Sequence, residues 1–299
     1  MSTMTLDPPS DDVKRRIRAC TGKRPTAWHR PSGGYTRMER WIVGFDDGTS
    51  AFAKIATDKH HGDWLRAEWH VYQHLHAPFM AEVLGWEDGD HPLLLLEDMH
   101  RAHWPPPWTA KHIDTLLDTL ASLHRSPTPP GLKRLESMEA ELKLWAEVAK
   151  APSEFLSLGL CTGEWLEKAL PDLLAAEAAG RLAGEDILHL DVRSDNVCFA
   201  GERGQRCVLV DWNWACVGNA EVDVAFWLPS LHAEGGPPPE AILPDAPEMA
   251  ALVCGYYARY AGQPPWPGGE PVRALQRRCL RSALTWAVRA LDLPEPERP

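Results

Sequence analysis

The chain has 299 residues, of which 31 are Lys or Arg and 42 are Asp or Glu. The resulting formal charge of −11 disfavours binding to the phosphate backbone of nucleic acids. The sequence has neither an apolar run long enough to span a bilayer nor the apolar core of a secretory signal, so we expect no membrane partner. The seven cysteines form no C-x-x-C motif, and we expect reduced thiols in a cytoplasmic protein.

The first third of the chain has the pattern of a small antiparallel sheet crossed by one helix. Strands are predicted at residues 37–45, 49–55, 83–87 and 93–97. Each pair flanks a turn of Asp and Gly residues, D-D-G in the first pair and D-G-D in the second, as in β-hairpins. Between the hairpins, residues 63–76 carry apolar side chains at helical spacing, with Asp63 as the expected N-cap.

The remainder of the chain is predicted to be mainly helical. Helices are predicted after Thr109 and at residues 135–148, 164–183 (broken or kinked at Pro171), 248–260 and 272–291. A short β-rich island interrupts them at residues 187–190, 197–199 and 207–210. We therefore predict an α+β fold with an N-terminal lobe at residues 1–97, a linker at 98–108 and a helical C-terminal lobe at 109–299.

The most informative motif is H-x-D-x-x-x-x-N, formed by His189, Asp191 and Asn196. An apolar strand precedes the motif and another follows it, and a loop between paired strands would bring a carboxylate and an amide to one pocket. There a carboxylate can accept a hydroxyl proton and an amide oxygen can bind a metal ion. The alternative is a polar surface loop in which the Asp and Asn side chains make only turn hydrogen bonds.

A second carboxylate, Asp211, stands at the end of an apolar strand at residues 207–210. Burying a carboxylate is costly without a proton, a partner or a metal ion, and a divalent cation is a natural partner for it. The alternative is a helix or turn cap. With Asp191 and Asn196, Asp211 completes a set of side chains of the type that binds Mg²⁺ and activates a hydroxyl group.

Two charged residues of the first third interrupt apolar patterns. Lys54 lies in the middle of an apolar strand, and Glu68 lies within the apolar stripe of the following helix. An ion pair between them explains both interruptions, whereas the alternative is two independent charges that extend to solvent. Upstream, Ser32-Gly33-Gly34 precede the first strand. Adjacent glycines let backbone N–H groups approach a phosphate, although such a pair also forms a simple turn.

These residues together resemble the signature set of protein-kinase-like enzymes. In chain order the set comprises Ser32, Gly33 and Gly34, Lys54, Glu68, Asp191 with Asn196, and Asp211. Within that superfamily the chain resembles the small-molecule kinases of the aminoglycoside phosphotransferase family, because the loop reads H-L-D, the metal motif reads D-W-N and no A-P-E follows. The resemblance implies a bilobal protein-kinase-like fold, with a nucleotide-binding lobe at 1–97, a hinge and linker at 98–108, and the catalytic loop and acceptor site within 109–299.

The resemblance also implies a role for each matching residue. Asp191 matches the catalytic aspartate, which orients the acceptor hydroxyl and takes its proton, and Asn196 and Asp211 match the Mg²⁺ ligands. The implied nucleotide-binding residues are Ser32, Gly33 and Gly34 in the phosphate loop, Lys54 with its partner Glu68, and Glu97 and Met99 at the hinge. Asp223 matches a structural aspartate that hydrogen-bonds the catalytic loop, and His189 matches a buried anchor of that loop. Leu190 stands where the family usually has glycine.

The implied activity is transfer of the γ-phosphoryl group of ATP or GTP to a hydroxyl of a small molecule. An aminoglycoside or another antibiotic is the first expectation, as a resistance or self-protection activity, because the charge of −11 suits a cationic acceptor. The alternatives are a metabolic kinase with a sugar, choline-like or amino-alcohol acceptor, and a non-catalytic nucleotide-binding regulator. The choice of nucleotide and the oligomeric state stay open.

Two groups of side chains in the sequence suit an acceptor site. The acidic candidates are Glu221, Glu234, Glu240, Asp245 and Glu248, and the aromatic candidates are Trp104, Trp108, Trp212, Trp214 and Trp227. The carboxylates would attract a cation and the indoles would stack on a ring. The alternatives are solvated acidic loops and tryptophans that pack in the core.

Overall fold

The computed structural model of the chain describes residues 8–31, 38–201 and 204–297. Its helices are α1 (Asp11–Thr21), α2 (Lys59–His74), α3 (Ala110–His124), α4 (Glu139–Leu142), α5 (Trp145–Lys150), α6 (Pro152–Leu156), α7 (Gly163–Ala179), α8 (Glu221–Ala233), α9 (Pro247–Ala261) and α10 (Glu270–Ala290). Its strands are β1 (Pro25–His29), β2 (Glu39–Phe45), β3 (Ser50–Ile55), β4 (Val83–Glu87), β5 (Leu93–Glu97), β6 (Lys133–Arg134), β7 (Asp186–Leu188), β8 (Val197–Ala200), β9 (Arg206–Leu209) and β10 (Cys216–Gly218). The predicted α+β class is confirmed.

The chain divides into two compact units. The first unit contains the described residues up to His103 together with Cys198–Asn213, and the second contains Trp104–Val197 and the described residues from Trp214 onward. Across the described ranges, no helix is both long and apolar enough to cross a membrane.

The first unit is built on an antiparallel sheet with the strand order β1-β2-β3-β5-β4. Both predicted hairpins are present, since β2 pairs with β3 and β4 pairs with β5. One face of the sheet presents apolar side chains such as Trp41, Val43 and Ala53, which pack against Val13 and Ile17 of α1. Alternation along β3 therefore places Lys54 on the opposite face from Ala53.

Helix α1 was not predicted from the sequence. Its buried residues are Val13 and Ile17 alone, and the rest of the helix is rich in charged side chains. A stripe of two apolar residues is too short for a helical period to be recognised. Ser10 caps its N-terminus by accepting a hydrogen bond from the N–H of Val13, and Gly22 ends it with a φ of 68°.

Helix α2 begins earlier than predicted. Its N-cap is Asp58, whose side chain accepts a hydrogen bond from the N–H of His61, and the prediction of Asp63 as the cap was wrong. Asp63 instead lies within the helix and pairs with Lys59 on the exposed side. The Asp58 cap adds a full turn that the apolar stripe did not indicate.

The second unit is mainly helical, as predicted, but two of its predicted helices have other bounds. The helix predicted at 135–148 is divided into a 3-10 turn, Leu135–Met138, followed by α4 and α5. The helix predicted at 164–183 is α7, which continues through Pro171 and ends at Ala179. The remaining predicted helices correspond to α3, α9 and α10.

The strands around the H-x-D-x-x-x-x-N motif do not pair with each other, and this prediction was wrong. Strand β7 pairs with β10 in a small sheet with the order β6-β10-β7, whereas β8 pairs with β9. The loop between β7 and β8 therefore joins two different sheets. Strand β10, which the sequence pattern did not predict, provides the pairing partner of β7.

Candidate functional site

The ion pair predicted between Lys54 and Glu68 is present in the first unit. The Nζ of Lys54 lies 2.9 Å from Oε1 and 2.7 Å from Oε2 of Glu68, and both side chains are buried. The pair forms because β3 and α2 each direct a charged residue toward the other, on the face of the sheet opposite α1. Each charge thereby avoids the free-energy cost of burial without a partner.

Asp211 joins this pair. Its Oδ1 accepts a hydrogen bond of 2.8 Å from Nζ of Lys54, and its side chain stays 39% exposed. Burial acts to lower the pKa of Lys54, but Asp211 and Glu68 outweigh that effect and hold the pKa above its ordinary value. Lys54 therefore keeps its positive charge at neutral pH, between two carboxylates.

Asp211 follows β9 with a φ of 73°, in the left-handed region of backbone conformation. Aspartate enters this region more readily than most residues because its short polar side chain can hydrogen-bond locally. The turn ends the apolar strand and presents the carboxylate beside Lys54. Its partly exposed oxygens are of the ligand type that Mg²⁺ prefers.

In the second unit, Asp223 organises the loop that carries Asp191. Its Oδ2 accepts the N–H of His189 at 2.9 Å, its Oδ1 accepts the N–H of Leu190 at 2.6 Å, and His124 Nε2 lies 3.0 Å from Oδ2. The contact predicted between Asp223 and the catalytic loop is thus present. Leu190 has a φ of 59°, a conformation that favours glycine, so the Asp223 contact stabilises a strained backbone.

Asp191 and Asn196 lie together in the second unit. The Nδ2 of Asn196 donates to the main-chain oxygen of Asp191 and to its Oδ2, each at 2.9 Å. Arg193, which the sequence analysis did not select, donates from Nη2 to the same Oδ2 at 3.1 Å. The sequence pattern that could have indicated Arg193 is its place between two acidic residues, Asp191 and Asp195, at alternate positions of one loop.

A second contact of this loop joins it to α8 and to the segment before α3. Ser194 donates to Oε1 of Glu234 at 2.7 Å, and the indole N–H of Trp108 donates to Oε2 at 2.8 Å. Both of these donors are neutral, and no Lys, Arg or His of the described ranges forms an ion pair with Glu234. By contrast, Glu240 lies 2.7 Å from Nη1 of Arg289.

The tryptophans have different environments. Trp212 and Trp227 are fully buried and pack in the cores of their own units, whereas Trp214 is exposed. Trp108 lies 5.6 Å from Trp227 between ring centroids and donates to Glu234. Trp108 is therefore an aromatic candidate that contacts an acidic candidate directly.

At the end of β5, the side chain and the N–H of Glu97 both form hydrogen bonds. Arg206 forms a two-pronged ion pair with Glu97 at 2.7 and 2.9 Å, and these bonds lower the pKa of the Glu97 carboxyl. The Glu97 N–H donates to the main-chain oxygen of Glu82 at 2.7 Å, and the oxygen of Met99 accepts from Ala102 at 2.9 Å. Arg206 was not selected from the sequence either.

The predicted phosphate-binding and metal-binding residues are placed as follows. Ser32, Gly33 and Gly34 lie outside the described residues. The structure brings Lys54, Glu68 and Asp211 together in the first unit, and Asp191 and Asn196 together in the second. No group of three or more His, Cys, Asp or Glu side chains forms a metal site within the described part of the chain. A Mg²⁺ site in a nucleotide-using enzyme needs only one or two protein ligands, because phosphates and water supply the others.

Comparison with known proteins identifies a family and a fold. The model of the family described as "Phosphotransferase enzyme family" matches residues 28–262. No curated protein matches the sequence at a significant level.

Three solved structures illustrate the shared fold. An aminoglycoside phosphotransferase from Alicyclobacillus acidocaldarius subsp. acidocaldarius DSM 446 aligns with a TM-score of 0.53 and 13% identity over 97% of this chain and 99% of that chain. A spectinomycin phosphotransferase in complex with ADP and spectinomycin gives 0.56 and 11% over 96% and 100%. A macrolide 2′-phosphotransferase type I gives 0.51 and 15% over 98% and 100%. At these identities the likeness is one of fold.

Proposed function

Because the chain belongs to the phosphotransferase enzyme family, we propose that it transfers the γ-phosphoryl group of ATP or GTP to a hydroxyl group of a small molecule. The observation that carries this proposal is the contact of Lys54 with both Glu68 and Asp211. A buried ammonium held between two carboxylates is pre-organised to meet the charge of a nucleotide's phosphates. An ion pair with a purely structural role would need only Lys54 and Glu68, and not the partly exposed carboxylate of Asp211.

In this proposal the N-terminal lobe, residues 1–97, binds the nucleotide. Lys54 contacts the phosphates, and Glu68 holds its ammonium in place. The backbone of Ser32, Gly33 and Gly34 cradles the phosphates, and the main chain at Glu97 and Met99 binds the base. At Glu97 the carbonyl group is the part that a base would use, since its N–H already donates to Glu82.

Asp191, in the helical lobe at 109–299, acts on the acceptor. The acceptor oxygen forms a bond to the γ-phosphorus while the bond from that phosphorus to the β–γ bridging oxygen breaks, and the nucleoside diphosphate leaves. The hydroxyl proton passes to the Asp191 carboxylate. Asn196 and the main-chain contacts of Asp223 hold the loop in the conformation that presents this carboxylate.

Asp211 and Asn196 are the proposed Mg²⁺ ligands. When bound, Mg²⁺ neutralises the phosphate oxygens and stabilises the charge that develops during transfer. Asp211 offers a carboxylate that is 39% exposed. Asn196 uses its Nδ2 group to contact Asp191, so its side-chain oxygen is the atom that suits a metal ion.

We propose a cationic antibiotic as the acceptor. Glu234 supports this choice because its carboxylate contacts the Asp191 loop through Ser194, and its two hydrogen-bond donors are neutral. A cationic acceptor would compensate that charge. The alternative is a metabolic kinase for a sugar, a choline-like molecule or an amino alcohol. The described cysteines are free thiols, which suits the cytoplasm, where the nucleotide is available.

The test of the activity is a panel of acceptors, assayed with ATP and with GTP. The panel contains aminoglycosides, a macrolide, a nucleoside, a sugar and choline, and the readout is acceptor-dependent formation of nucleoside diphosphate. The proposal predicts turnover with an antibiotic. Turnover with the sugar or choline alone would identify a metabolic kinase. Nucleotide binding without turnover on any acceptor would favour a nucleotide-binding regulator.

The charge of the acceptor is tested by salt. Between about 0.01 and 0.15 M ionic strength the Debye length falls from about 30 to 8 Å, so the KM of a cationic acceptor should rise steeply while nucleotide affinity changes less. Glu234→Gln should raise that KM and flatten its salt dependence. The matched control is Glu240→Gln, whose carboxylate is already compensated by Arg289. A flat profile in the wild-type protein would point to a neutral acceptor.

A further inference from the structure

The loop between β7 and β8 carries an arginine between two aspartates. The Nη2 of Arg193 donates to Oδ2 of Asp191 at 3.1 Å, and its Nε lies 3.3 Å from Oδ1 of Asp195. The side chain of Arg193 is 20% exposed. Its guanidinium is a planar fork of N–H donors. The same Nη2 also donates to Oδ2 of Asp195 at 3.4 Å, so the contacts with Asp195 restrain the nitrogen that faces Asp191.

The two carboxylate oxygens of Asp191 have different surroundings. Oδ2 accepts from both Nη2 of Arg193 and Nδ2 of Asn196. Oδ1 accepts a hydrogen bond from no group in residues 8–31, 38–201 or 204–297. Two donors on one oxygen restrain rotation about the bond that would exchange the two oxygens.

We propose that Arg193 is a positioning residue, which holds Oδ2 of Asp191 so that Oδ1 is the oxygen that takes the proton of the acceptor hydroxyl. The inference rests on the proposed function and names the reacting atom within it. The proton leaves the acceptor oxygen as the new O–P bond forms, and Oδ1 becomes the O–H of a neutral carboxyl group. Arg193 stays protonated throughout, because a guanidinium does not release a proton in proteins.

Arg193 acts on the chemical step and not on substrate binding. Asn196 shares its side chain between Asp191 and the proposed metal site, so it is a movable restraint on Oδ2. Arg193 donates directly to the same oxygen and is itself held by Asp195. Its loss should leave Asp191 charged, with Asn196 as the one remaining donor to Oδ2 among the described residues. A misplaced base costs rate because the reacting atoms must be aligned, and misplacement by about 1 Å costs roughly 100-fold.

The experiment compares Arg193→Gln, Arg193→Lys and Arg193→Ala with the wild-type protein. We expect Arg193→Gln to lower kcat by roughly 10- to 100-fold, with the acceptor KM and the nucleotide Kd within about 2-fold of wild type. Arg193→Lys should recover part of that loss, because one ammonium reaches one carboxylate less directionally than a guanidinium. Added guanidinium ion should increase the kcat of Arg193→Ala. A purely structural role would show neither graded recovery nor rescue.

The matched control is Arg259→Gln. Arg259 contacts Glu154 at 2.6 Å in the second unit and is similarly shielded, with 27% exposure, but it contacts no residue of the loop from Asp191 to Asn196. Its kcat should equal that of wild type. If Arg193→Gln fails to fold, Arg193→Lys and the rescue of Arg193→Ala decide the question.

Two results would overturn the inference. A normal kcat in Arg193→Gln would show that Asp191 needs no such restraint, and a change confined to nucleotide Kd would make Arg193 a phosphate-binding residue instead. Asp191→Asn separates this failure from a failure of the proposed function. An inactive Asp191→Asn with a fully active Arg193→Gln rejects the inference alone, whereas an active Asp191→Asn rejects the proposed catalytic role.

Discussion

Lys54 and Asp211 are 157 positions apart in the sequence, yet the Nζ of Lys54 lies 2.8 Å from Oδ1 of Asp211. The contact joins the C-terminal end of β3 to the segment that follows β9, within the first unit. Because Glu68 contacts the same ammonium, the three side chains respond to substitution as a set. A change at one member alters the charge that the other two experience.

Lys54→Met and Glu68→Gln are predicted to be non-additive. Lys54→Met leaves two carboxylates without their shared cation, whereas Glu68→Gln leaves Lys54 paired with Asp211. We expect Lys54→Met to be the more harmful, with a coupling free energy of about 0.5–3 kcal/mol between the two substitutions. The measurements are the free energy of unfolding and the nucleotide Kd for both single variants and the double variant.

A pair on the surface of α2 is the control for that cycle. Lys59 and Asp63 are 2.6 Å apart between Nζ and Oδ2, but both side chains are exposed. Their coupling should not exceed about 0.5 kcal/mol. Additive effects at Lys54 and Glu68 of the same small size would mean that the buried contact does not organise the nucleotide site.

Asp211→Asn is predicted to raise the Mg²⁺ concentration needed for half-maximal activity by about 10-fold or more, which corresponds to about 1.4 kcal/mol. Asn196→Ala should have the smaller effect, because a carboxylate brings negative charge to the cation and an amide does not. Glu68 still pairs with Lys54 in Asp211→Asn, so the protein should stay folded. Mg²⁺ is titrated at saturating nucleotide and acceptor.

Asp118→Asn provides the comparison for the Mg²⁺ titration. Asp118 is an exposed carboxylate on α3, and its loss should leave the titration unchanged. An Asp211→Asn variant with the same Mg²⁺ dependence as Asp118→Asn would remove Asp211 from the metal site.

Glu177 is predicted to make the protein less stable as pH rises. Burial raises the pKa of its carboxyl from 4.5 to about 7, although the N–H groups of Leu144 and Trp145 partly offset this effect. Between those two pH values the unfolded chain has released a proton that the folded chain still holds, so stability falls from pH 4.5 to about 7 and is level above it. Glu177→Gln removes this dependence.

The stability of Glu177→Gln relative to wild type should therefore increase with pH, by at most about 3 kcal/mol. Urea unfolding at pH 5 and at pH 8 measures it. Glu164, an exposed carboxylate on the same helix that pairs with Lys168, serves as the control. Glu164→Gln should show no comparable change in relative stability between the two pH values. An equal change in both variants would contradict the raised pKa of the buried Glu177 carboxyl.

The parts of the fold that were predictable depend on local chemistry. The hairpins β2–β3 and β4–β5 follow from turns of Asp and Gly, and the Lys54–Glu68 pair follows from two charges that each break an apolar pattern. The contact of Asp223 with the Asp191 loop was predicted from the family resemblance and not from the sequence pattern itself.

The parts that were missed depend on long-range packing. The pairing of β7 with β10, and not with β8, is decided by residues distant in the sequence. Helix α1 needs the sheet beneath it to bury Val13 and Ile17. Arg206, which contacts Glu97, and Arg193, which contacts Asp191, look like ordinary surface cations until the fold gives them partners.

Asp191 is the residue that we propose acts on the acceptor. Its carboxylate is 24% exposed and contacts Asn196 and Arg193. The most direct measurement follows transfer of a labelled γ-phosphoryl group to an active acceptor by wild type and Asp191→Asn, with nucleotide Kd determined on the same samples. The predicted result is a loss of at least about 100-fold in kcat with an unchanged Kd. Near-normal transfer by Asp191→Asn would contradict the account.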